Sequence, residues 1–173
     1  MLATRSKAWT VAILGVLIAM QVLLGSFFSI QFLITKITFS FIVTAIMARL
    51  FPPHLTAGAS ALSSILGMLL FPKFSFFIGF ALTAGLTGWT YAYFLYQQPL
   101  KWWRVAAASA LVTFGYNLFL NSLWLHWMYG LKWAVLFSTR IPQELVSFVI
   151  YVGLIQLVLK VLPLSQLTRR ALH

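Results

Sequence analysis

Between Ala8 and Val161 the chain runs through one apolar stretch after another, each closed by a short cluster of Lys, Arg, Pro or other polar residues. Stretches near the length that crosses a hydrocarbon layer as a helix, about 20 residues, predict an integral membrane protein. Helices satisfy every backbone amide internally, as lipid requires. Of the 173 residues, 62% are hydrophobic and only 8% charged, against about 25% charged in a soluble domain. The expected fold is an all-α membrane protein, a single domain over 1–173 with six transmembrane helices at about 8–28, 35–50, 54–70, 75–96, 102–129 and 141–161. The first run follows Arg5 and Lys7 as in a signal peptide, but its length and the five spans behind it predict a retained helix. Pro52–Pro53, Pro72 and Pro99 fall between spans, and Pro142 is read as opening span six near its first turn, where proline is tolerated.

Twelve Lys plus Arg against one acid give a formal net charge of +11. That balance often signals nucleic acid, but these cations are dispersed around the spans, where they contact lipid headgroups and set orientation. No nucleic-acid partner is expected. With both termini inside, the cytoplasmic cations are Arg5, Lys7, Arg49, Lys101, Arg104, Lys160, Arg169 and Arg170, against Lys36, Lys73, Lys132 and Arg140 outside. The excess favours cytoplasmic termini.

One acid, no Cys and three His leave no carboxylate pair or thiolate site, so no catalytic residues are expected. His54 and His126 lack partners at ligand spacing, so no metal site is expected. No phosphate-cradling glycine loop occurs, and any driving energy must come from elsewhere. The one acid, Glu144, is read as a partner for Arg140, four residues earlier.

Three groups of residues carry functional content. Ala8, Ala12, Gly15 and Ala19 in span one share a helical face. Such a face admits close helix approach, either within the protein's own bundle or onto a partner. The small residues of spans three and four are read as internal packing. Gln21, Asn117 and Asn121 place amides at similar depth, in the outer halves of their spans, and suggest either a cavity open to the outside or an amide network bridging helices. Around that depth the sequence is aromatic and cationic, with Phe28, Lys73, Phe77, Trp124, Lys132 and Arg140 as candidate binding residues. Rings beside cations suit a planar, negatively charged heteroaromatic ligand, the competing reading being an interfacial aromatic belt.

Several segments resemble the substrate-binding S components of energy-coupling factor (ECF) vitamin importers, within them the folate-type group. They are Ala19-Met-Gln-Val-Leu-Leu, Leu69-Leu-Phe-Pro-Lys-Phe, Phe76-Phe-Ile-Gly-Phe-Ala-Leu-Thr-Ala84, Asn121-Ser-Leu-Trp-Leu125 and Met128-Tyr-Gly130, in family order across nearly the whole chain. The resemblance implies six helices with cytoplasmic termini in a prokaryotic cell membrane. It implies a subunit that captures a vitamin as cargo, with no covalent cofactor. The small-residue face of span one would dock on a membrane coupling protein driven by two cytoplasmic ATPases, and the subunit would topple in the membrane to release its cargo.

The chain departs from the folate-type pattern at one place. Where such members usually carry Leu-Ser-Arg-Phe, it reads Leu24-Gly25-Ser26-Phe27, and Ser26 cannot pair with a carboxylate as a guanidinium does. Folate is the expected vitamin, with cobalamin the alternative. Outside this class stands an ion-driven secondary transporter or channel subunit, which would use intramembrane charges or broken helices. An intramembrane hydrolase would need a nucleophile and base, and no Ser/His pairing at matching depth is visible.

Overall fold

The computed structural model describes residues 2–26, 29–32, 35–71 and 77–161. Six helices span them: α1 (Leu2–Ser26), α2 (Ser40–Leu50), α3 (Pro53–Leu70), α4 (Ile78–Leu95), α5 (Trp102–Tyr129) and α6 (Trp133–Val161). Four of them, α1, α3, α5 and α6, are long and apolar enough to cross a membrane by length and composition. The six-helix expectation holds, with three differences in detail.

The first lies between α1 and α2. Thr35–Thr38, expected inside span two, forms strand β2, which pairs antiparallel with β1 (Ser29–Phe32) in the register Ser29↔Thr38 to Phe32↔Thr35. Three of these four residues, Thr35, Ile37 and Thr38, are β-branched, which favours a strand. Helix α2 therefore keeps only 11 residues, about 16 Å of rise.

The second concerns α6, which begins at Trp133, so that Pro142 lies inside the helix. A proline here removes the amide that would have bonded the carbonyl of Ser138. Nearby, Ser138 Oγ donates to the Val135 carbonyl at 3.1 Å, and Thr139 Oγ1 donates to the carbonyls of Val135 and Leu136 at 2.8 and 3.2 Å. Reading Pro142 as a first-turn residue had placed Arg140 in a loop. In the structure Arg140 and Glu144 are helical and buried.

The third is within α5, where Leu111–Leu120 is π-helical. π-Helical turns are rare and concentrate at functional sites. The π register persists at the junction, where the Asn121 amide donates to the Tyr116 carbonyl, five residues back.

The closest helix contact joins α3 and α4 through small residues, as expected for spans three and four. A Cβ on Gly85 would sit 3.5 Å from the Ala57 carbonyl oxygen and from Ala61 Cβ, while one on Gly88 would lie 2.6 Å from Ser60 Oγ and 2.8 Å from the Thr56 carbonyl oxygen. Gly88→Ala should therefore push the two helices apart. Overpacking of this kind costs about 1–3 kcal/mol, which we expect as a lower melting temperature of the purified protein. An unchanged melting temperature would show that the pair separates freely.

The apolar core fills the half of the bundle that holds the start of α1 and the end of α6. Tyr91, Ala92 and Leu95 of α4 pack there with Val105, Ala108 and Val112 of α5, Ile155 and Leu159 of α6, and Phe41, Ala45 and Ala48 of α2. Leu17 of α1 joins Val43, Met47, Phe51 and Ala59 beside it. At the same end Arg49 Nη1 donates to the carbonyls of Leu95, at 2.8 Å, and of Gln98. Arg104 Nη1 donates to Gln98 Oε1 at 2.7 Å. Arg49 thus adds a charged donor to carbonyls at and just beyond the C-terminal end of α4. The outer surface is apolar, with Val16, Leu69, Tyr93, Val149 and Leu157 all exposed, as befits helices solvated by lipid.

Candidate functional site

In the opposite half of the bundle the core gives way to a cavity of about 350 Å³. It is lined by the end of α1, the start of α2, the second half of α3, the first half of α4, the second half of α5 and the first half of α6. These are the ends remote from the start of α1. Its floor is Tyr151, whose ring packs on Phe41 of the core at a centroid distance of 4.0 Å.

The lining is polar for a membrane interior. Gln21, Ser26, Asn117, Asn121 and Arg140, all expected as binding residues, come together around the cavity. Gln21 Nε2 donates to Thr44 Oγ1 at 2.8 Å, tying α1 to α2, and Thr44 in turn donates to the Ser40 carbonyl at 3.1 Å. Asn121 Nδ2 approaches Asn117 Oδ1 at 3.5 Å within α5. The amides thus do both things that were open: they bridge elements, and they face a cavity.

Arg140 is 7% exposed and Glu144 6%, so both charges are withdrawn from solvent. The Arg140 and Glu144 charges attract each other as expected, but the hydrogen bonds of the guanidinium Nη1 go to α5. Nη1 donates to the Asn117 carbonyl at 2.8 Å and to Ser122 Oγ at 3.2 Å. The carbonyl of Asn117 lies in the π-helical turn, and Arg140 reaches it from α6.

Buried polar groups in proteins are almost always hydrogen-bonded. Here Gln21 Oε1, Asn121 Oδ1, Arg140 Nε and Glu144 Oε2 are buried without a partner in the protein, and all four belong to residues of the cavity wall. One site thus offers two acceptor amide oxygens, a guanidinium donor and a carboxylate. That set suits a ligand with both donors and acceptors on a rigid frame.

The other expected binding residues sit elsewhere. Trp124 Nε1 donates to Thr83 Oγ1 at 3.0 Å, and the Phe77 ring packs against Trp124 at a centroid distance of 5.5 Å, tilted by 56°. Between them Gly79 has no room for a side chain. Both rings lie outside the cavity lining and brace α4 against α5. Lys132 is exposed and also outside the lining. Phe28 and Lys73 lie outside the described residues. Ser60, Ser63, Gln143, Ser147 and Tyr151 line the cavity and were not singled out from the sequence. Their signal was readable on α6, where Arg140, Gln143, Glu144, Ser147 and Tyr151 repeat at three- and four-residue spacing on one face. On α3 the corresponding serines were absorbed into the small-residue packing face.

His126 Nδ1 lies 2.7 Å from the Leu131 carbonyl oxygen and its ring stacks on Trp133. His54 belongs to the first turn of α3, at the other end of the bundle. Among the described residues no group of three metal-ligating side chains occurs.

Residues 10–163 match the family model of the ECF transporter substrate-specific component. The folate transporter FolT of Clostridium novyi (strain NT) is 36% identical over 135 residues, covering 78% of each chain. The folate transporter FolT of Leuconostoc mesenteroides subsp. mesenteroides is 28% identical over 144 residues, covering 79% of this chain and 77% of that one. Among solved structures, the crystal structure of FolT bound with folic acid has a TM-score of 0.81 and 36% identity, covering 84% of this chain and 89% of that one. With a polar cavity inside a lipid-facing six-helix bundle and a family match over nearly its whole length, this multi-pass protein of the cell membrane belongs to the substrate-specific components of ECF transporters.

Proposed function

We propose that this chain is the folate-binding subunit of an ECF importer. It takes folate from outside into the cavity and delivers it inward with a membrane coupling protein and two ATPases. The observation that carries the reading is the set of buried, unpartnered polar atoms that Gln21 of α1, Asn121 of α5, and Arg140 and Glu144 of α6 bring to one cavity. Folate presents a planar ring with donors and acceptors along its edges. Ser26, where the folate-type pattern has a cation, and Arg140 line the same cavity.

Cobalamin is not favoured. Both FolT relatives carry the folate name, and a cavity of about 350 Å³, near the lower limit for ligand pockets, does not enclose a corrin ring with its nucleotide loop. Family membership likewise replaces the ion-driven reading.

Cytoplasmic termini, as the distribution of cations predicts, put the cavity on the outer side, where a captured vitamin must enter. The small-residue face of α1 supports docking: Ala8, Ala12, Gly15 and Ala19 are all exposed, so the face does not pack within the bundle. Leu17, on another side of α1, is the one buried in the core.

The direct test is to purify the protein in detergent, identify any retained small molecule by absorbance and mass spectrometry, and titrate folic acid and cobalamin. We expect saturable folic acid binding below micromolar concentration and none of cobalamin. Absence of folic acid binding at micromolar concentration would overturn the assignment.

A further inference from the structure

Glu144 is the only acid in the chain, and it is 94% buried by its 6% exposure. Isolating a carboxylate from water is costly unless it is hydrogen-bonded. Yet its Oε2 has no partner in the protein, and the residue lines the cavity. The Asn117 side chain and the Arg140 charge act on the rest of the carboxylate, but the Arg140 Nη1 is spent on the Asn117 carbonyl and Ser122, and its Nε, like Glu144 Oε2, is left without a partner. Two opposite charges one helical turn apart thus each present an unsatisfied atom at the same cavity.

We propose that Glu144 and Arg140 together read the hydrogen-bonding edge of a 2-amino-4-oxopyrimidine ring, Glu144 accepting from the 2-amino and ring N–H groups and Arg140 donating to the neighbouring carbonyl. This rests on the folate reading and gives it a specific contact. The chemistry follows from inventory. An ionised carboxylate only accepts and a guanidinium only donates, so the pair selects a ligand edge carrying donors and an acceptor side by side. The amino-pyrimidinone edge has that order, whereas the glutamate tail of folate has carboxylates that Glu144 would repel. The ring end of the ligand therefore lies against α6, and the tail points away from Glu144.

The test compares folic acid with a folate analogue in which a methyl group replaces the 2-amino group and nothing else changes. The wild type should bind folic acid about 10- to 150-fold more tightly, the factor corresponding to one hydrogen bond to a charged group. Glu144→Ala should bring the ratio of the two affinities close to one. Because the readout is a ratio on one protein, a general weakening of the site cancels. A wild type that binds both ligands equally, or a Glu144→Ala variant that keeps the preference, overturns the proposal while leaving the folate assignment standing. A wild type that binds neither ligand overturns that assignment, and the edge contact with it. Should Glu144→Ala fail to fold, Glu144→Gln, which keeps the shape and loses the charged acceptor, takes its place: a ratio lowered towards one supports the contact, and an unchanged ratio overturns it.

Discussion

Gly15→Leu will cut uptake by cells that carry the complete transporter at least about fivefold while leaving folic acid binding by the isolated subunit unchanged. The expectation follows from what surrounds Gly15. A Cβ built there meets nothing within 4 Å, so a leucine costs the subunit's own packing nothing. It does, however, fill the shallow face made with Ala8, Ala12 and Ala19, all exposed. In lipid, helices associate through close backbone approach at small residues, because apolar surface is already solvated by acyl chains. A leucine side chain holds the partner off. Weakening of the association by about 1–2 kcal/mol is about a 5- to 30-fold change in affinity, and uptake in the cell should fall by at least the lower factor. Val149→Leu is the control, since Val149 is 69% exposed on α6 and changes lipid-facing surface away from α1. Normal uptake by Gly15→Leu would remove α1 as the docking face. Parallel loss of binding and uptake would show that the substitution acts on the fold.

Much of this architecture could be read from the sequence, because the signals were chemical extremes. Apolar runs of membrane length left helices as the backbone solution, and the bounds of α3 and α5 fall within a residue of those expected. The errors occurred where a local rule had two solutions. Pro142 fits both a first turn and a helix interior, and only packing against α5, through Arg140 and the Asn117 carbonyl, decides between them. Thr35–Thr38 adjoins an apolar run and could extend it, yet its β-branched residues suit a strand once a partner strand is present. The cavity was legible through its amides, which are conspicuous in an apolar span. Its serines were not, because a serine on a small-residue face looks the same whether it packs a helix or faces a ligand. Trp124 shows the converse: its ring, beside the predicted site in the sequence, is tied to Thr83 outside the cavity lining.

Arg140→Gln should weaken folic acid binding about 10- to 150-fold, from the roughly 1.5–3 kcal/mol carried by hydrogen bonds to a charged group. From the sequence this arginine was an outer cation and a candidate binding residue. Its burial on α6, one turn from Glu144, changes the expectation, since a guanidinium reading the ring carbonyl serves the head of the ligand. Pteroic acid keeps the ring and lacks the glutamate, so Arg140→Gln should weaken it by the same factor as folic acid. A residue reading the tail would weaken folic acid alone. The substitution also removes a donor from the Asn117 carbonyl in the π-helical turn, and the melting temperature of the ligand-free variant measures that separate cost. Arg140→Lys keeps a positive donor but loses the planar fork, so it should retain more of the stability than of the affinity. Loss of folic acid binding with pteroic acid untouched would move Arg140 to the tail. Unchanged affinity for both ligands with a large fall in melting temperature would make it a tie between α5 and α6.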